Sequence, residues 1–147
     1  MPQNTILLVE DNPDDEALTL RALKKNNLLN KVVVARDGQE AIDYLFAEGK
    51  YSDRDANQTP ALVLLDLQLP KIDGFGVLKR LRSNPLTKFL PVVILTSSAE
   101  QEDVLSGYGL GANSFVRKPV DFEQFVETVG QVGPYWLLLN ENPETVT

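Results

Sequence analysis

Leu62-Val63-Leu64-Leu65-Asp66-Leu67-Gln68-Leu69-Pro70-Lys71-Ile72-Asp73-Gly74 runs from four consecutive apolar residues into a carboxylate, then through a proline to an Asp-Gly pair. An unbroken apolar run, as opposed to an alternating one, suits a strand buried on both faces of a parallel sheet. Asp73 can cap a helix that carries Phe75, Leu78 and Leu81 and stops before Pro85. The stretch therefore reads as strand, loop and helix, with Asp66 at the strand's C-terminal end.

The same unit recurs on either side. Ile6–Val9 ends in Glu10 and Asp11, and Val32–Val34 forms a second run. Val92–Leu95 ends at Thr96, and Ser114–Val116 is a shorter fifth run. Helical segments fill the gaps. Asn12 caps the first, with Pro13 at its first position and Asp14, Asp15 and Glu16 facing the positive end of the helix dipole. Asp37 with Glu40 forms a capping pattern for a helix running to near Gly49. Ser98 with Gln101 and Asp121 with Gln124 open two more. Five strand–helix units predict an α/β fold with a doubly wound five-stranded parallel sheet. Residues 48–60 are polar and rich in turn formers, which predicts an extended, mobile loop. Residues 133–147 read as a C-terminal extension.

Composition narrows the chemistry. The 147-residue chain has neither cysteine nor histidine, and 14 basic against 21 acidic residues leave a net charge of −7. Disulfides, thiolate nucleophiles, His general bases and His- or Cys-ligated metals are excluded. The acidic balance opposes a nucleic-acid or anionic-membrane surface, since phosphate backbones need Lys/Arg clusters. No secretory leader and no apolar stretch of about 20 residues is present, so the expected location is the cytoplasm.

Ligands of open parallel sheets bind beyond the C-terminal strand ends. Here those ends deliver Glu10 and Asp11, then Asp66, then Thr96 and Ser97, then Lys118 and Pro119. Taken singly these have bland readings: Asp11 as a residue preceding a helix, Asp66 in a turn, Thr96-Ser97-Ser98 as an N-cap cluster, Lys118-Pro119 as a loop. Together they place three carboxylates, a hydroxyl and an ammonium at one sheet edge. Converging carboxylates repel unless a cation lies between them, and oxygen-only ligands favour Mg2+, Mn2+ or Ca2+. Such a site suits attack by a carboxylate on phosphorus, with Lys118 and Thr96 stabilising the phosphoryl oxygens.

The D-x-x-L-P-x-x-D-G pattern, joined to Glu10-Asp11, Thr96-Ser97 and Lys118-Pro119, resembles the receiver domain of two-component response regulators. The resemblance covers about residues 4–132 as a single domain and implies the flavodoxin-like (β/α)5 fold. No DNA-binding domain follows, so the chain is similar to a stand-alone receiver of the chemotaxis-regulator type. The loop at 48–60 and the Tyr135-Trp136-Leu137 tail resemble a narrower group, the small regulators paired with cyanobacterial and bacterial phytochrome kinases.

The resemblance implies that Asp66 accepts a phosphoryl group from a phosphohistidine on a sensor histidine kinase, of phytochrome type if the narrower likeness holds. It implies Mg2+, with Mn2+ as a substitute, bound by Asp11, Asp66 and the main-chain carbonyl of Gln68, with Glu10 acting through water. Lys118, Thr96 and Ser97 would contact the phosphoryl group, and Phe115 occupies the switch-aromatic position. Pro119 would follow a cis peptide bond. Gln68 and Ser98 flank the route of the hydrolytic water and are expected to set the lifetime of the phosphorylated state. Asn12, Pro13 and Ala17, with Pro119, are expected to dock the kinase. The apolar tail around Tyr135, Trp136 and Leu137 is expected to form a homodimer interface in preference to packing on the fifth helix. No turnover enzyme is expected, only self-directed phosphotransfer and slow autodephosphorylation.

Three rival readings remain. A phosphohydrolase of the haloacid dehalogenase type would need an acid where Gln68 stands. A flavodoxin-like cofactor binder would need a Gly-rich loop where Glu10 and Asp11 stand. A degenerate receiver acting as an unphosphorylated interaction module would retain the fold and lose the chemistry.

Overall fold

The computed structural model describes residues 5–25, 31–96, 109, 111–112, 114–117, 123–124, 126–127 and 130. In chain order they form β1 (Ile6–Val9), α1 (Pro13–Lys25), β2 (Val32–Ala35), α2 (Gly38–Leu45), a 3-10 turn (Gly49–Tyr51), β3 (Leu62–Leu65), α3 (Gly74–Arg82), β4 (Val92–Thr96) and β5 (Ser114–Arg117). Glu123, Gln124, Val126, Glu127 and Gly130 are helical. The strands form one parallel sheet in the order β2-β1-β3-β4-β5. The doubly wound parallel sheet is the one the apolar runs predict, and its strand order is the flavodoxin-like one that the resemblance implies.

The two-residue period of a strand sends alternate side chains to opposite faces. Leu7, Val9, Val63, Leu65, Val92 and Ile94 pack with residues of α2 and α3. Ile6, Leu8, Leu62, Leu64, Val93 and Leu95 pack with Ala22 and Leu23 of α1, and Val126 joins them. Both β1 and β3 are buried throughout, whereas the valines of the edge strand β2 are half-buried. Continuous apolar sequence follows from having helices on both sides.

The helix starts follow the capping residues. The Asn12 side chain accepts from the Asp14 N–H at 2.8 Å and the Asp15 N–H at 3.2 Å. Asp37 accepts from the Glu40 N–H at 2.7 Å, and Asp73 from the Gly76 N–H at 2.8 Å. The openings expected at Ser98 and Asp121 lie outside the described residues.

One expectation is corrected. The second helix ends at Leu45, short of Gly49. It closes with the Ala47 N–H donating to the Tyr44 carbonyl at 3.4 Å and the Glu48 N–H to the Asp43 carbonyl at 2.8 Å. That pair is a Schellman closure, and it puts Ala47 in the left-handed region at φ 54°. The 48–60 segment contributes contacts to α2. Its Tyr51 hydroxyl and Lys50 ammonium both reach a Glu40 carboxylate oxygen at 3.2 Å. The Tyr51 ring meets Tyr44 edge-on at 5.2 Å, and the Arg54 guanidinium lies 4.1 Å from the Tyr44 ring centre. Lys50, Tyr51 and Arg54 thus lie against α2.

Arg82 ties the far end of α3 to its surroundings. Its guanidinium donates to the carbonyls of Thr87, Lys88, Leu90 and Gly111. Burial lowers its pKa. No helix among the described residues is long and apolar enough to cross a membrane.

Candidate metal and phosphoryl site

In the order β2-β1-β3-β4-β5 the winding reverses between β1 and β3. Such a reversal leaves a crevice at the C-terminal strand ends, because the connections on its two sides diverge. Glu10 and Asp11 leave β1 there and Asp66 leaves β3, held level by the Glu10 N–H to the Ala35 carbonyl at 2.9 Å and the Asp66 N–H to the Val9 carbonyl at 3.1 Å.

The three carboxylates converge. One oxygen from each of Glu10, Asp11 and Asp66 lies within 4.8 Å of the others. Opposite oxygens around octahedral Mg2+ are about 4 Å apart, so this spread is on the scale that one divalent ion could bridge. The donor set is oxygen only, which fits a hard divalent cation. Like charges this close disfavour one another without a counter-ion.

Burial differs among them. Glu10 is 1% exposed, and its Oε2 accepts from the Asn12 N–H at 3.4 Å. Asp11 is exposed to solvent. Asp66 is 9% exposed, and its Oδ1 accepts from the Leu67 N–H at 2.7 Å and the Gln68 N–H at 3.5 Å. Its carboxylate is therefore fixed in rotation by the loop that follows it.

That loop is held at its C-terminal end and in its middle. At its C-terminal end the Gly74 N–H donates to the Leu67 carbonyl at 2.9 Å. A Cβ on Gly74 would collide with the Asp66 carbonyl oxygen and lie 2.7 Å from the Leu67 Cα. The glycine of the Asp-Gly pair thus lets α3 start directly against the backbone of Asp66. Midway, Lys71 adopts φ 67° and its ammonium lies 3.6 Å from Asp37 Oδ2. The Gly38 N–H donates to the Pro70 carbonyl at 3.3 Å.

The other expected residues fall into two groups. Thr96 ends β4 beside Arg117 in the register, and Phe115 pairs with Ile94. Gln68 is exposed on the loop, and Asn12, Pro13 and Ala17 are exposed on the first turns of α1 beside Asp11. Ser97, Ser98, Lys118, Pro119, Tyr135, Trp136 and Leu137 lie outside the described residues.

Sequence reasoning treats Asp37-Gly38 only as a helix start and misses its contact with the 66–74 loop. The available signal is Gly38 itself, a residue without a side chain at the first position of α2, where a close backbone approach is possible.

A family model for the response regulator receiver domain matches residues 6–130. Response regulator Rcp1 of Synechocystis sp. is 36% identical over 146 residues, which span 99% of this chain and 93% of Rcp1. The structure of the Mn(2+)-bound form of Rcp1 aligns with a TM-score of 0.85 at 35% identity, covering 95% of this chain and 99% of that one. The phosphorylated cyanobacterial phytochrome response regulator RcpA aligns with a TM-score of 0.87 at 38% identity, covering 96% and 99%. The bacteriophytochrome response regulator AtBRR is 52% identical with a TM-score of 0.77, covering 96% and 100%.

Proposed function

This chain belongs to the response regulator receiver family, and from that premise we propose that Asp66 accepts a phosphoryl group from a phosphohistidine of a sensor histidine kinase. The observation that carries the reading is the convergence of Glu10, Asp11 and Asp66 within 4.8 Å where the sheet's winding reverses.

An Asp66 carboxylate oxygen attacks phosphorus, the P–N bond to the donor imidazole breaks, and the imidazole recovers a proton from solvent. The product is an aspartyl phosphate. The Leu67 and Gln68 amides on Oδ1 hold the carboxylate in one orientation, which lowers the entropic cost of attack. Mg2+, with Mn2+ able to replace it, would be held by Asp11, Asp66 and the Gln68 main-chain carbonyl, with Glu10 acting through water. When bound it neutralises charge on the phosphoryl oxygens. The Mn(2+)-bound state of Rcp1 supports a divalent ion here. Thr96, Ser97 and Lys118 bind the phosphoryl oxygens, Phe115 follows the movement of Thr96, and the peptide before Pro119 is cis. Gln68 and Ser98 set the lifetime of the phosphorylated state.

The donor is a phytochrome-type kinase, a reading supported by the likeness to RcpA and AtBRR along nearly their whole lengths. It docks on the exposed first turns of α1 at Asn12, Pro13 and Ala17, next to Asp11, with Pro119 completing the surface. The Tyr135-Trp136-Leu137 segment pairs two copies of the chain in the cytoplasm. The chain acts as a switch, with no chemistry beyond its own phosphotransfer and slow dephosphorylation.

Intact mass after incubation with acetyl phosphate tests the reading. The expected result is a gain of one phosphoryl group that requires Mg2+ and is absent in Asp66→Asn. No gain from acetyl phosphate or from a phosphohistidine donor would instead indicate an interaction module that kept the fold alone.

A further inference from the structure

Beyond the acids themselves, the loop that carries Gln68 leans on α2. A Cβ on Gly38 would overlap the Ile72 carbonyl oxygen and lie 2.6 Å from its carbon and 2.8 Å from the Ile72 Cβ. The Gly38 N–H donates to the Pro70 carbonyl at 3.3 Å. Asp37 uses one carboxylate oxygen to cap α2 through the Glu40 N–H at 2.7 Å and presents the other to Lys71 at 3.6 Å. Lys71 holds a left-handed φ of 67°, which turns the chain between Pro70 and Ile72. The 66–74 loop is therefore fixed by α3 at one end, through Gly74, and by the first turn of α2 in its middle.

We propose that the start of α2 is energetically coupled to the metal site, with Gly38 and Lys71 acting as positioning residues for the loop segment that bears the Gln68 carbonyl. The inference rests on the reading that the cation sits between Asp11 and Asp66 with that carbonyl as a ligand. Groups that orient metal ligands without touching the ion carry about 10–100-fold in metal affinity. Coupling is reciprocal: if docking of α2 favours the bound cation, the bound cation must favour docking of α2. A larger residue at 38 would push Pro70–Ile72 outward. A β-branched residue at 71 would resist the left-handed turn. Glycine at 71 would keep the turn and lose only an exposed ion pair, a contact of little worth.

The test is Mg2+ binding to the full chain by calorimetry, for wild type, Gly38→Ala, Lys71→Val, Lys71→Gly and Arg82→Ala. The last variant is a control for general destabilisation, since Arg82 anchors the far end of α3. Expected results are affinity about tenfold or more weaker in Gly38→Ala and Lys71→Val, and within about threefold of wild type in Lys71→Gly. Arg82→Ala should have a lower melting temperature and unchanged Mg2+ affinity. Hydrogen exchange at the Gly38 amide should slow when Mg2+ is added to wild type. If Gly38→Ala does not fold, the contrast between the two Lys71 variants decides.

Wild-type affinity in folded Gly38→Ala and Lys71→Val would overturn the coupling while leaving the metal site in place. An equal loss in Arg82→Ala would also overturn it, because the effect would then be general. Absence of Mg2+ binding in wild type would overturn the metal reading itself, and this inference with it.

Discussion

Asp66 depends on a glycine eight places further along the chain. Its Oδ1 is oriented by two amides of the loop that follows, and that loop can close only because Gly74 has no side chain to strike the Asp66 carbonyl. Gly74→Ala should cost about 1–3 kcal/mol, the range for forcing one extra carbon into a packed position. It should also slow phosphorylation by acetyl phosphate, because the backbone that yields is that of Asp66 and Leu67. Urea unfolding with a time course of intact mass would check both effects, and a variant matching wild type in both would remove the steric argument. At this scale the sequence is informative for chemistry and silent about contacts. Glu10, Asp11 and Asp66 are legible because each follows an apolar run. The meeting of Gly38 with Ile72 is not, because no local periodicity connects residues so far apart in the chain.

Among the elements, the strands and the helix starts are read directly: Leu62–Leu65 is the strand its composition predicts, and Asn12, Asp37 and Asp73 cap as expected. The end of α2 misleads because Gly49 is the obvious stop signal, whereas the turn is made at Ala47 with φ 54°. Ala47→Gly should therefore raise stability by about 0.5–1 kcal/mol, as glycine takes that conformation without its Cβ penalty. Thermal or urea unfolding would show it, and a loss of stability would mean that the positive φ carries no strain at Ala47. The contacts of the 48–60 segment are illegible for a different reason. Its polar composition resembles a loose loop, yet Tyr51 bonds Glu40 across eleven residues, a pairing that turn-former counts do not register.

This latch should respond to alkali. Burial first, and then the Glu40 carboxylate, raise the Tyr51 phenol above the ordinary tyrosine value, and the Glu40 contact raises Lys50. A raised folded-state pKa gives stability that is present below the ordinary value of about 10 and is lost as pH rises through the folded value. Melting temperatures of wild type and Tyr51→Phe should thus converge above about pH 10, wild type falling faster. Parallel curves would exclude Tyr51 as the alkaline trigger.

For the whole molecule, the class of fold follows from five apolar runs, but the strand order does not. Right-handed crossovers permit several windings, and the apolar pattern says nothing about where the winding reverses. The acids mark that place, and packing of α1 on one face with α2 and α3 on the other explains it. A chain with net charge −7 that gathers three carboxylates at one crevice stores repulsion there. Asp11→Asn should consequently melt higher than wild type in EDTA and gain little from added Mg2+. A variant still stabilised by Mg2+ as wild type is would place the ion elsewhere.

Reduction of the acyl phosphate tests at a single residue whether Asp66 is the phosphoryl acceptor. After incubation with acetyl phosphate and Mg2+, borohydride converts an aspartyl phosphate to homoserine, and peptide mass mapping locates the change. Homoserine is expected at Asp66 alone, and none when Mg2+ is omitted. Homoserine at Asp11 or at another aspartate, with Asp66 unmodified, would contradict it.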